Sequence, residues 1–181
     1  LSVTPGDRNL CRAVRARTVV ELGHMTNRER WVMVSDSHLG RDRNSDSRNA
    51  GHALAQFIRA RAFVEGAHTT LILLGDIFEL ADDVEPDPES ALDAILAAHP
   101  DFVVSLREVA GRGTRIVVVP GNHDAGLAVP QIWGNFTQAV GADANVVLYP
   151  WIVYVPGVLY AEHGHQHHDL NRMPTLLNTH V

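Results

Sequence analysis

Four short stretches carry donors suited to a divalent cation: Asp36-Ser37-His38, Gly75-Asp76, Gly121-Asn122-His123-Asp124 and His163-Gly164-His165. Each follows an apolar run, so each reads as a loop at the end of a buried strand. In Asp36-x-His38, two residues at a strand end can point the same way, letting a carboxylate and an imidazole grip one ion. Alone, the triplet reads first as an Asp capping a turn beside a solvated His. Asp76 follows Leu-Ile-Leu-Leu-Gly, and its two oxygens suit it to bridging two ions; its alternative is a turn-forming Asp. Gly121 permits a tight turn. Asn122 offers a neutral carbonyl oxygen, His123 can donate a proton, and Asp124 can orient His123 or tune its pKa.

The segment YAEHGHQHHDLN (160–171) adds His163, His165, His167 and His168. Such a density of imidazoles is not ordinary core, and the residues alone leave open which rings hold a metal.

The elements that must position these loops are short and well punctuated. WVMVS (31–35) and HTTLILLGD (68–76) read as buried strands, and TRIVVVPGNHD repeats the design of strand, glycine turn and polar residues. AGHALAQFIRARAFVEG (50–66) has helical spacing, with Leu54, Phe57, Ile58 and Ala62 on one face. A helix follows the acidic stretch ADDVEPDPES, capped by Ser90 or Asp87, and Pro100 separates it from a second. VPQIWGNFTQAVGA (129–142) is a further helix despite Gly134. The apolar runs after it are split by Pro150 and by Pro156-Gly157, where a hairpin is expected. The order is β-loop-α-β-loop-α-α-β-loop-α-β-β, an α/β arrangement with a partly parallel sheet. In such sheets ligands gather at the carboxyl ends of strands, which would bring the four loops to one edge.

Composition sets the outer limits. In 181 residues, 45% are apolar and 20% charged, and the net charge of −6 argues against broad contact with nucleic-acid phosphates. All 15 basic residues are arginine. Cys11 stands alone, which excludes an internal disulfide and a cysteine-based zinc site and fits a reducing, cytoplasmic setting. No apolar run approaches the roughly 20 residues needed to cross a bilayer. Residues 1–25, with the Arg-rich stretch 8–20, are expected to be an accessory segment, and 26–181 the domain.

Taken together and in order, SDSHLG, LLGDIFE, VVPGNHD and EHGHQ resemble the calcineurin-like metallophosphoesterase superfamily over roughly residues 31–171. The resemblance implies two sheets sandwiched between helices, an αββα fold. It implies a dinuclear centre with a bridging hydroxide: Asp36 and His38 on one metal, Asp76 bridging, Asn122 and His163 on the second. His123 would assist the leaving group, with Asp124 behind it. Mixed nitrogen and oxygen ligation suits Mn, Fe, Zn or Co, with Mn taken first. The substrate would be a phosphorylated small molecule or nucleotide-type compound, with no stable nucleic-acid partner. Glu79 in GDIFEL is similar to the branch of UDP-2,3-diacylglucosamine hydrolase-like phosphoesterases.

GHQH (164–167) matches the family's closing Gly-His-x-His in form, but follows a strand where the family places its single earlier ligand. His163 is therefore the expected ligand. The closing motif would lie beyond Val181, leaving the domain incomplete at its C-terminus; the contrary reading has His165 and His167 take over that role. Arg41, Arg43 and Arg48 could hold a substrate phosphate or simply be solvated. Trp133, Tyr149, Trp151 and Tyr154 are expected to pack or to form a rim. His52 and His99 fall on helices or their ends, His68 opens the strand HTTLILLGD, and none of the three receives a role. Two rival functions remain at this level: a manganese-dependent DNA-repair-type nuclease of the same superfamily, and a metal-binding scaffold that does not turn over.

Overall fold

The computed structural model describes residues 29–41, 45–65, 67–80, 88–141 and 145–171. The expected accessory segment 1–25, Arg43 and Asp87 lie outside these residues. The strands are β1 (Glu29–Val34), β2 (His68–Leu74), β3 (Arg115–Val119), β4 (Val146–Leu148), β5 (Ile152–Val155) and β6 (Leu159–Glu162). The helices are α1 (Ser45–Arg61), α2 (Pro88–Ala98), α3 (Pro100–Gly111) and α4 (Pro130–Val140). Three strands follow α4, one more than the element order anticipates, because Pro150 interrupts the run between β4 and β5.

β1 to β4 form one parallel sheet in the order β1-β2-β3-β4. Parallel neighbours need a crossover, and α1, the α2–α3 pair and α4 supply the three. β2 and β3 are buried on both faces, and their alternation assigns each residue a side. The first strand, expected to be buried, lies at the sheet edge with Val32 buried and Met33 44% exposed. Val32, Leu71, Leu73, Ile116 and Val118 join the helices in the larger core, with Leu54, Ile58, Leu92, Ile95, Phe102, Leu106 and Phe136. Ile72, Val117 and Val119 face the other way, onto Tyr149, Val153, Val155 and Ala161. That second core packs the antiparallel β5–β6 hairpin against the sheet, with Val153 opposite Ala161 and Tyr154 opposite Tyr160. The two-sheet α/β architecture is the one expected, and the hairpin turns at Pro156-Gly157.

Two local expectations are corrected. Phe57 is 39% exposed, and Ala55 takes the buried position beside Leu54, Ile58 and Ala62. Counted from the buried Gly51, positions i+3, i+4, i+7 and i+11 are Leu54, Ala55, Ile58 and Ala62, and Phe57 at i+6 falls outside that stripe. Ser90 lies inside α2 rather than capping it: the helix opens at Pro88, whose fixed φ suits a first helical position. Trp133 packs on the larger core and Tyr149 is buried in the smaller, whereas Trp151 and Tyr154 stay exposed. No helix among the described residues is long and apolar enough to cross a membrane.

The parallel pairing of β1 with β2 continues past both strand ends. Leu39 bridges Phe78, and both side chains are fully buried. Phe78 meets Phe102 and Phe136 edge-on, at 5.9 and 5.8 Å between ring centroids. The loops at the carboxyl ends of β1 and β2 are thus nailed to the helical core one residue beyond His38 and two beyond Asp76. Phe78→Ala is expected to lower unfolding free energy by about 3–5 kcal/mol, read from urea denaturation. A loss under about 1 kcal/mol would mean that the aromatic trio does not anchor these loops.

Candidate metal centre

Three non-glycine residues adopt positive φ: Asp36 (55°), His38 (43°) and Asp76 (52°). Each such residue costs on the order of 1 kcal/mol, and all three carry donors singled out from the sequence. Backbone bonds between the two loops hold them there. The Asp36 amide donates to the Gly75 carbonyl (3.1 Å), the His38 amide to that of Asp76 (3.0 Å) and the Leu39 amide to that of Ile77 (2.8 Å).

The Asp76 carboxylate is the meeting point. It is buried, and its Oδ1 accepts the His123 amide at 2.9 Å. Its Oδ2 lies 3.1 Å from His163 Nε2 and 4.0 Å from His38 Nε2. Both imidazoles have committed their other nitrogen. His163 Nδ1 donates to the Leu74 carbonyl at 3.1 Å, and His38 Nδ1 donates to Glu79 Oε2 at 2.7 Å. Carbonyl and carboxylate oxygens can only accept, so in the neutral tautomers each Nε2 presents a lone pair. Two lone pairs then converge on one carboxylate oxygen. That arrangement is repulsive unless a cation, a metal ion or a proton, is shared among them.

Glycines make the approach possible. A Cβ at Gly75 would fall on the His163 ring, and one at Gly121 would fall on Asp76 Oδ1, with His163 Cδ2 at 2.7 Å and the Asp76 amide at 2.8 Å. Asp36, His38 and Asp76 form one triad with ligand atoms within 4.8 Å of one another; His38, Glu79 and His123 form another. Asn122 sits half-buried between Gly121 and His123, in the turn that wraps Asp76. The residues singled out on the four loops are therefore brought to one edge of the parallel sheet.

Two carboxylates play parts that the sequence did not reveal. Asp124 was expected behind His123, but its two oxygens take four backbone amides instead: Asp76 (3.1 Å), Ile77 (2.8 Å), Phe78 (3.3 Å) and Gly121 (2.7 Å). Burial pushes the Asp124 carboxyl up, against the pull of those four N–H groups. It ties the third loop to the second. The carboxylate beside the His123 ring is Glu79, whose Oε1 is 2.5 Å from His123 Nδ1. Burial alone would raise Glu79, but its bonds to His123 and His38 outweigh it and hold the group below the usual carboxylate range. The one available signal was its place three residues after Asp76, where the Leu39–Phe78 bridge carries it back over the first loop.

The remaining histidines separate. His165 is buried, its ring 5.4 Å from that of His163. Burial, and then the neighbouring His163, hold its pKa below the ordinary imidazole value. Its Nδ1 is buried without a hydrogen-bond partner, while Nε2 meets the Gln166 amide at 2.8 Å. His167 is exposed and donates to Glu162 at 2.6 Å. His168 is exposed and accepts the Leu170 amide. Arg41 is half-buried beside the first loop, and Arg48 is exposed on α1.

Comparison with known proteins agrees with this geometry. The family model for the calcineurin-like phosphoesterases matches residues 30–179. The chain belongs to that family. A curated relative, UDP-2,3-diacylglucosamine hydrolase from Azotobacter vinelandii (strain DJ / ATCC BAA-1303), is 35% identical over 95 residues. The match covers 51% of this chain and 32% of the relative. Family membership and donor chemistry agree: a mixed set of imidazoles and carboxylates fits divalent metals of the transition series.

Asp124→Asn preserves shape but replaces one accepting oxygen with an amide donor facing backbone N–H groups. It is expected to lower unfolding free energy by about 2–4 kcal/mol, measured in urea. Stability equal to the wild type would show that the four contacts contribute nothing.

Proposed function

We propose that this chain is a metal-dependent phosphoester hydrolase working through two divalent cations. The observation that carries the reading is the convergence of His38 Nε2 and His163 Nε2 on Asp76 Oδ2, with Asp36 within the same donor group. Asp36 and His38 would hold the first cation, Asn122 and His163 the second, and Asp76 would serve both. Manganese, iron, zinc and cobalt all suit the mixed nitrogen and oxygen donors, and manganese is taken first. When bound, such a pair would supply a water acidic enough to act as hydroxide near neutral pH and would neutralise phosphoryl charge.

The chain's own residues do the rest. Glu79 accepts from Nδ1 of both His38 and His123. It thereby fixes both rings and leaves His123 Nε2 directed away from that bond, the position from which it would protonate or stabilise the departing oxygen. Asp124 would act one step removed, by holding the backbone of the second and third loops. The substrate would be a phosphorylated small molecule or nucleotide-type compound, a reading favoured by the relative's name and by the acidic net charge. Residues 26–181 would form the metallophosphoesterase domain, and a chain with one cysteine suits a cytoplasmic setting.

Asp76→Asn is expected to weaken Mn(II) binding at least about tenfold by titration calorimetry, since it removes half of a shared anionic ligand. His123→Ala should lower kcat on bis(p-nitrophenyl) phosphate by about 10²-fold while binding the same number of Mn(II) ions. Two variants indistinguishable from wild type would defeat the assignment. Faster cleavage of single-stranded DNA than of small phosphoesters would transfer it to the nuclease branch.

A further inference from the structure

His99 is buried between α2 and α3, away from the donor cluster. Its backbone is held by both helices: its amide donates to Ile95 and Leu96, and its carbonyl accepts from Val103. Pro100 follows, which keeps the preceding residue out of helical geometry, and His99 sits at φ −121°, ψ 57°. The ring is thereby turned toward the first loop, where Nε2 donates to the Gly40 carbonyl at 2.8 Å. Gly40 is two residues beyond His38. The ring's other edge lies against α1 at Gly51. A Cβ there would fall on His99 Nδ1, with Cγ at 3.1 Å and Cε1 at 3.2 Å. The absence of a side chain at Gly51 is therefore the slot in which the imidazole sits.

The loop so contacted is the strained one. Asp36 and His38 both hold positive φ, and the backbone bonds from Asp36, His38 and Leu39 to the end of β2 restrain it on its sheet side. His99 grips it on the helical side, where it departs toward α1. We propose that His99 is a positioning residue that clamps the Asp36–His38 loop to the helical layer through Gly40, with Gly51 as the seat of its ring. Its consequence for metal binding rests on the reading of Asp36 and His38 as ligands. The clamp itself does not.

Two measurements separate these. In metal-free protein, His99→Ala should accelerate amide hydrogen exchange in residues 36–40 about fivefold to tenfold, the worth of one buried hydrogen bond, with β3 and α3 unchanged. In Mn(II) titrations the same variant should lower affinity at one of two sites by a similar factor. His99→Gln, which keeps a donor of comparable reach, should recover part of both. Gly51→Ala, which alters no donor, should reproduce His99→Ala by displacing the ring. Adding it to His99→Ala should do no further harm, since no ring remains to displace.

Should His99→Ala fail to fold, His99→Gln and Gly51→Ala carry the same comparison. Unchanged exchange at 36–40, acceleration spread evenly over the chain, or additive effects of the Gly51 and His99 changes would each overturn the clamp. Wild-type protein that binds no Mn(II) would defeat the metal reading alone, and the exchange result would still decide the clamp.

Discussion

A buried carboxylate oxygen facing the Nε2 atoms of two imidazoles is the constraint on which the rest of this structure turns. Asp76 Oδ2 holds that position between His163 and His38. With both rings neutral the arrangement is unfavourable unless a metal ion or a proton is shared, and several features oppose its relaxation. Asp76 is fixed at positive φ, its other oxygen is bonded to the third loop, and two glycines leave the clearance that lets His163 and the third loop close in. A protein without a use for the cation would gain by relaxing any of these. Their joint presence is the physical case for a cation, a metal ion or a proton, shared at this point.

The frame that tolerates this strain is the parallel sheet with a core on each face. Strand alternation sends Leu71, Leu73, Ile116 and Val118 to the helices, and Ile72, Val117 and Val119 to the hairpin. The central strands β2 and β3, buried from both sides, cannot shift singly. The Leu39–Phe78 bridge then re-pairs the chain beyond the strained residues, so strain is confined between two rigid anchors. The β5–β6 hairpin adds the fourth loop, bringing His163 to the end of β2 through its bond to the Leu74 carbonyl.

Around the donors lies a set of residues that hold other residues. Asp124 gathers four backbone amides from two loops. Glu79 joins the ring of a proposed metal ligand to the ring of the proposed acid, so a displacement of either imidazole is felt by the other. His99 reaches the same edge from the helices. Low dielectric and full hydrogen-bond satisfaction make such networks stiff, and stiffness holds the donors together at this edge of the sheet.

The amino-acid sequence by itself determined the elements and the donor types. Apolar runs ending in Gly-Asp or Gly-Asn-His-Asp, and prolines at helix openings, are local signals that act within a few residues. They were legible for the same reason that Phe57 and Ser90 were misread: a helix boundary or stripe shifts by one residue at no local penalty. Only the tertiary structure decided which atoms face which. Glu79 between two histidines, Asp124 turned to the backbone and His99 seated on Gly51 all depend on contacts between residues far apart in the chain. A side chain's identity is written locally, but its direction is set by whatever the fold packs against it.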